Sequence, residues 1–187
     1  MAISSLDPKP ALIVVDLQKG LAAAPTIHPL TDVAKRAGKL AEAFRRNNLP
    51  VVLVNVSGQA PGRVEQGRPH TARPPEFTDI LAELNQQPQD KVVTKNAWGA
   101  FTHTDLDQYL KSCGVTQVLL AGVATSIGVE STARAAHELG YNVALISDAI
   151  TDLDVGNHTH SMTKIFPKLG EIGTTEEASA LVHKTYS

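Results

Sequence analysis

Three separated stretches of this chain carry residues whose types suit acid–base work on a small anion. The apolar run "ALIVVD" ends in Asp16, with Gln18 two residues on. "KVVTK" ends in Lys95, with Trp98 and Phe101 close behind it. "AGVATSIGVESTA" passes from an apolar run through a small polar turn to a helical pattern beginning near Gly128. A carboxyl group gives or takes a proton, an ammonium group holds a carboxylate, and the free amides of a helix start favour an anion. What the helix start lacks is a side chain able to attack. Gly128 has none, and the hydroxyls of Thr125 and Ser126 need a general base of their own to become nucleophilic.

Those residues have to be carried to one place by the elements around them. Six apolar, β-branched runs read as strands: "ALIVVD", "VVLVNV", "KVVTK", "QVLLAG", "NVALISD" and "GEIGT". The first is nearly continuous in apolar residues, the mark of a strand covered on both faces. Helical patterns alternate with them. Residues 31–47 place Val33, Ala37, Leu40, Ala41 and Phe44 on one face, and a weaker helix is predicted over 75–84. A third opens with Thr104 and Asp107 in a capping-box pattern and closes at Gly114. Others cover 128–139, stopped by Gly140, then 157–168, and a last one capped by Thr174 or Thr175. This order predicts an α/β fold, a three-layer α/β/α sandwich around a six-stranded parallel, Rossmann-like sheet, with residues 1–187 as a single domain. In such a sheet ligands bind at the carboxyl ends of the strands, near a topological switch point. Asp16, Lys95 and the 125–128 turn therefore share one rim.

The charge balance is 17 basic against 19 acidic residues with no block of like sign, which argues against nucleic acid or a membrane surface as partner. The single cysteine, Cys113, makes an intramolecular disulfide impossible and suits a reducing cytoplasm; it reads as a small packing residue at a helix end. The opening "MAISSLDPKP" lacks the pattern of a secretory leader. His158 and His160 sit roughly 200° apart on one predicted helix, the wrong spacing for shared metal ligation. No metal or cofactor is expected. The 57–74 stretch, rich in Gly, Pro and Arg, is long enough to have a role in function. Gln59 within it either contacts substrate or is a solvated amide. Arg63, Arg68 and Arg73 either clamp carboxylates or solvate the loop, and the second reading is favoured. Glu130 and Arg134, at i and i+4, are expected to pair.

"VVDLQ", "TKNAWGAF" and "GVATSIGVESTARAA", followed by "SDAITD" and His158, resemble the ordered signature segments of the isochorismatase-like hydrolase superfamily, across roughly residues 10–175. The resemblance implies a hydrolase for a small-molecule substrate, a homodimer or higher homo-oligomer, and a non-proline cis peptide joining Val123 to Ala124. Most members are cysteine hydrolases, and their cysteine position falls on Gly128. The branch of true isochorismatases carries glycine there, and "SIG" at 126–128 resembles its "HIG". That branch protonates the carbon of a vinyl ether instead of forming an acyl-enzyme. The resemblance places Asp16, Lys95 and Gly128 in the catalytic positions. Gln18, Gln59, Trp98, Phe101, Val123, Ala124, Thr125, Ser126 and Ile127 are then the candidate substrate contacts. "TKNAWGAF" lacks the Arg and Tyr often found after the lysine, a departure that bears on the substrate. A hydrolase using Asp16 and a bound water, or a member that binds a small carboxylate without turnover, stand as alternatives.

Overall fold

A computed structural model describes residues 2–67 and 73–186. Its six strands are β1 (Pro10–Val15), β2 (Val51–Val56), β3 (Lys91–Lys95), β4 (Gln117–Val123), β5 (Asn142–Thr151) and β6 (Glu171–Gly173). All pairs are parallel and the order across the sheet is β3-β2-β1-β4-β5-β6. The predicted α/β class and six-stranded parallel sheet are present. The order reverses between β1 and β4, which creates the switch point at their carboxyl ends.

Helices cover both faces. The main ones are α1 (Leu30–Arg46), α2 (Leu106–Ser112), α3 (Glu130–Glu138), α4 (Val155–His160), α5 (Phe166–Leu169) and α6 (Thr175–Tyr186). Strand alternation sorts the side chains of β1 between the two cores. Leu12 and Val14 pack with Val33, Leu40 and Phe44 of α1 and with Val182 of α6. Ile13 and Val15 pack with Leu106 and Leu110 of α2, Ala133 and Ala136 of α3, and Phe166 of α5. Every residue of β1 is buried, and each Leu, Ile or Val so covered contributes about 1.5–3 kcal/mol.

The structure departs from the sequence pattern at element ends. Residues 75–84 form no continuous helix but two short 3₁₀ turns, Pro75–Thr78 and Ala82–Leu84. Between them Ile80 forms a lone antiparallel bridge with Gln18, and the paired extended backbone interrupts the spiral. The Thr104–Asp107 capping box does not form. Thr104 donates its hydroxyl to Ala100 O at 2.6 Å, while Asp107 takes Lys111 and Tyr141 as partners. At α6 the box does form: Thr174 Oγ1 accepts from Glu177 N, and Glu177 Oε2 accepts from Thr174 N. Gly114 and Gly140 close their helices with positive φ, as expected.

Candidate active site

Asp16 leaves β1 with a left-handed φ of 56°, which turns the chain out of the sheet at the switch point. Gly122 on β4 lies opposite Val15, the residue before it. A Cβ at Gly122 would stand 2.0 Å from Val15 O, so only glycine lets the two strands run this close. The next peptide, Val123–Ala124, is cis, as the resemblance implies. The chain then enters a π-helical turn, Thr125–Val129, that runs into α3. The helix thus begins at Thr125, three residues before the predicted start, and Gly128 lies within its first turn.

Lys95 arrives from the end of β3. Its side chain is 1% exposed and donates to Asp16 Oδ2 at 2.7 Å and to Ala97 O at 3.1 Å. Asp16 Oδ1 is buried with no hydrogen-bond partner. Burial of the carboxyl outweighs the opposing pull of the Lys95 charge and hydrogen bond, and pushes its pKa up to about 6. A Cβ at Gly128 would stand 3.2 Å from Asp16 Oδ2 and 3.2 Å from Val15 Cγ1. The three positions singled out from the sequence therefore meet.

They meet in a cavity of about 260 Å³ whose wall is chiefly aliphatic, from Leu21, Val56, Ile127 and Leu153. Gln59, Trp98, Val123 and Ala124 also line it. Four other expected contacts do not. Gln18 spends its whole amide on the backbone, donating to Val56 O and Phe77 O and accepting from Val56 N. Phe101 stacks on Tyr141 with ring centroids 6.0 Å apart. Thr125 is buried with its hydroxyl 2.7 Å from His158 Nδ1, so that histidine is a satisfied packing residue. Ser126 offers its amide to Asp152, not to the cavity.

That last bond corrects the expected anion site. Ser126 N donates to Asp152 Oδ2 at 2.7 Å, while Ile127 N and Val129 N both donate to Ala124 O. The helix start already holds a carboxylate of the protein's own. Sequence pattern alone misses Asp152, because the run "NVALISD" predicts a strand that ends at Asp148. The strand continues to Thr151 past a register irregularity against β4, so Asp152 is its strand-end acid, the counterpart of Asp16.

Arg73 is the second correction. Expected to be a solvating loop cation, it lines the cavity, with its guanidinium 4.5 Å over the Phe77 ring. The Phe77 ring fits because it packs on Gly20, where a Cβ would stand 2.2 Å away. Among the described residues no carboxylate lies within ion-pair distance of Arg73. Arg63 lines a neighbouring cavity, and Arg68 lies outside the described residues. Glu130 and Arg134 pair at 2.9 Å as expected. Cys113 is half-buried at the end of α2, away from the site. No cluster suited to a metal ion exists among the described residues, and no helix among them is long and apolar enough to cross a membrane.

The crowding at Gly128 yields a direct check. Gly128→Cys is expected to cost about 1 kcal/mol, since Val15 and Asp16 must each give slightly. Its thiol should react with iodoacetamide well before Cys113, as mapped by peptide mass spectrometry. Equal or slower labelling at 128 would mean that this position does not open on the cavity.

Known proteins give the same picture from outside the chain. The protein-family model described as "Isochorismatase domain" matches residues 10–177. An uncharacterized isochorismatase family protein of Bacillus subtilis, YwoC, is 38% identical over 176 residues, covering 90% of this chain and 92% of that one. The phenazine biosynthesis protein PhzD1 of Pseudomonas aeruginosa is 28% identical over 92% of this chain and 86% of its own. Streptothricin hydrolase of Streptomyces noursei is 35% identical over 78% of this chain and 50% of its own. Among solved structures, an isochorismatase family protein of Burkholderia thailandensis superposes with a TM-score of 0.93 at 39% identity, covering 97% of this chain and all of that one. With Asp16, Lys95 and the cis turn before Gly128 standing inside the matched span, this chain belongs to the isochorismatase family of hydrolases.

Proposed function

We propose that the protein hydrolyses the vinyl ether of isochorismate, or of a closely related small carboxylate, by acid catalysis without a covalent intermediate. The observation that carries this reading is the glycine beside the buried carboxyl. Gly128 brings no nucleophile to this position, and the group facing it is an acid with its pKa raised to about 6.

The proton moves from Asp16 to the terminal methylene carbon of the enolpyruvyl group, giving an oxocarbenium ion at the adjacent carbon. Water adds to that carbon and returns a proton to Asp16. The resulting hemiketal then collapses to pyruvate and the ring alcohol. A carbon acceptor forms no hydrogen bond before reaction, which suits a carboxyl oxygen left without a partner. Lys95 orients the acid through Oδ2 and keeps one N–H for a substrate carboxylate. Arg73 is placed to meet a carboxylate bidentately from the cavity wall. Asp152 supports the ether reading over an amide one. It occupies the Ser126 amide, one helix-start donor that a tetrahedral oxyanion could otherwise use.

A second reading, attack by a water that Asp16 deprotonates, gains support from the likeness to streptothricin hydrolase and from the Lys95 bond, which favours the ionised form. The two part on pH. Acid catalysis needs protonated Asp16, so kcat/KM should fall as pH rises through about 6; base catalysis should rise across the same interval. The deciding experiment incubates the protein with isochorismate and with a panel of amides, following pyruvate and ammonia. Pyruvate release with a falling alkaline limb is expected. Amide turnover without pyruvate would replace this reading with the second, and binding without turnover of either would end both.

A further inference from the structure

The turn that carries Gly128 has no cap of its own. Its N-cap residue is Ala124, whose side chain cannot accept a hydrogen bond, and the amide two residues on belongs to Ser126. Asp152 supplies the missing acceptor from 26 residues down the chain: Ser126 N donates to its Oδ2 at 2.7 Å. A carboxylate suits that place, at the positive end of a helix. Its other oxygen, Oδ1, accepts from Leu153 N at 2.7 Å and from Asp154 N at 3.4 Å, so the side chain is gripped from both sides. The residue is 1% exposed.

Asp152 also ties down two walls of the Asp16 cavity. Leu153, next in the chain, lines it, and Asp152 O accepts from Ile27 N at 2.8 Å, which holds the segment whose Leu21 and Ala24 line it too. Thr125 with His158 and Glu130 with Ser161 join the turn to the same region, but through side chains. Among the described residues, Asp152 alone takes a backbone amide of the turn from outside it. The turn in turn bears on the acid. A Cβ at Gly128 would stand 3.2 Å from Asp16 Oδ2, so the backbone at 128 covers that carboxyl and keeps water from it. We infer that Asp152 is a positioning residue, which holds the turn at Gly128 down on Asp16 and so keeps the acid dry and aimed. It forms no part of the cavity wall and no hydrogen bond to Asp16. The charged groups about the acid are Lys95, bonded to it, and Arg73 on the cavity wall. Asp152 adds a charge of its own, so position and charge have to be separated. The effect on rate rests on the vinyl-ether reading; the effect on the Asp16 proton does not.

The test follows that proton by carboxyl carbon NMR, assigned by the signal that Asp16→Asn removes. Asp152→Ala takes away both acceptors. As water reaches Asp16 its proton should bind about tenfold more weakly, the midpoint falling from about 6 toward the ordinary 3.8. Asp152→Asn removes the charge but keeps a carbonyl oxygen for Ser126 N, and its midpoint should stay close to that of the wild type. Hydrogen exchange over residues 124–131 should quicken about tenfold in Asp152→Ala, with β1 and β4 still protected as proof of folding. Asp152→Ser, too short for Ser126 N, gives the same reading if the alanine variant does not fold. On isochorismate, Asp152→Ala should lose up to about 10²-fold in kcat with KM within about threefold. A merely structural role would leave the Asp16 midpoint in place. An unmoved midpoint in the folded variant overturns the inference, and so does an equal fall in Asp152→Asn, which would make charge the cause. If the wild type releases no pyruvate while midpoint and exchange change as stated, the vinyl-ether reading fails and the positioning role stands. Pyruvate release with an unmoved midpoint sinks the positioning role alone.

Discussion

Asp16→Asn is expected to lower kcat/KM for pyruvate release by about 10²–10⁴-fold, the range a positioned general acid supplies. The amide keeps the size of the side chain and an acceptor for Lys95, so the cavity changes little in shape. What it loses is a proton acidic enough to reach carbon. The residual rate should also lose the limb near pH 6, because the group that titrates there is gone. Both results can be read from one pH series with pyruvate coupled to lactate dehydrogenase. A variant that kept its rate, or kept the limb, would show that the transferred proton comes from elsewhere.

Lys95→Met carries the second large effect, and it falls on stability as well as on rate. Lys95 opposes the burial that raises the Asp16 pKa, through both its charge and its hydrogen bond. Without it the carboxyl should hold its proton to a higher pH, and the activity limb should move alkaline of about 6. Asp16 already binds its proton more tightly folded than unfolded. The stability from that is complete below the unfolded value of 3.8 and is lost as pH rises to about 6. In Lys95→Met the decline should continue further upward, because an ionised Asp16 would stand buried and unpaired. At alkaline pH the expected loss is about 3–5 kcal/mol, and well below pH 6 it should be smaller, since the carboxyl is then neutral. Urea unfolding at pH 5 and pH 8 checks the sign. An equal loss at both values would mean that Lys95 contributes packing alone.

The strand and helix periods were legible because they are local. Continuous apolar runs mark strands buried on both faces, and the 31–47 pattern matches α1 within a residue at each end. The 75–84 prediction failed because Gln18 pairs with Ile80, a contact made across the fold that no window of sequence contains. The same limit explains Gln18 itself. A glutamine beside a strand-end acid looks like a substrate contact, but three backbone groups on other segments claim its amide. Asp152 was hidden by a strand that runs on past Asp148, and Arg73 by a loop whose course local pattern does not dictate.

By itself the sequence determined the α/β alternation, the rim where three motifs end, and the absence of a thiol at the helix start, since each follows from residue type and spacing. Only the tertiary structure decided that burial outweighs Lys95 in setting the Asp16 proton, that Asp152 fills the helix start, and that Arg73 and Trp98 wall the cavity. The reason is physical: desolvation, hydrogen-bond competition and cavity shape depend on which distant segments pack together, and spacing along a chain carries no record of them.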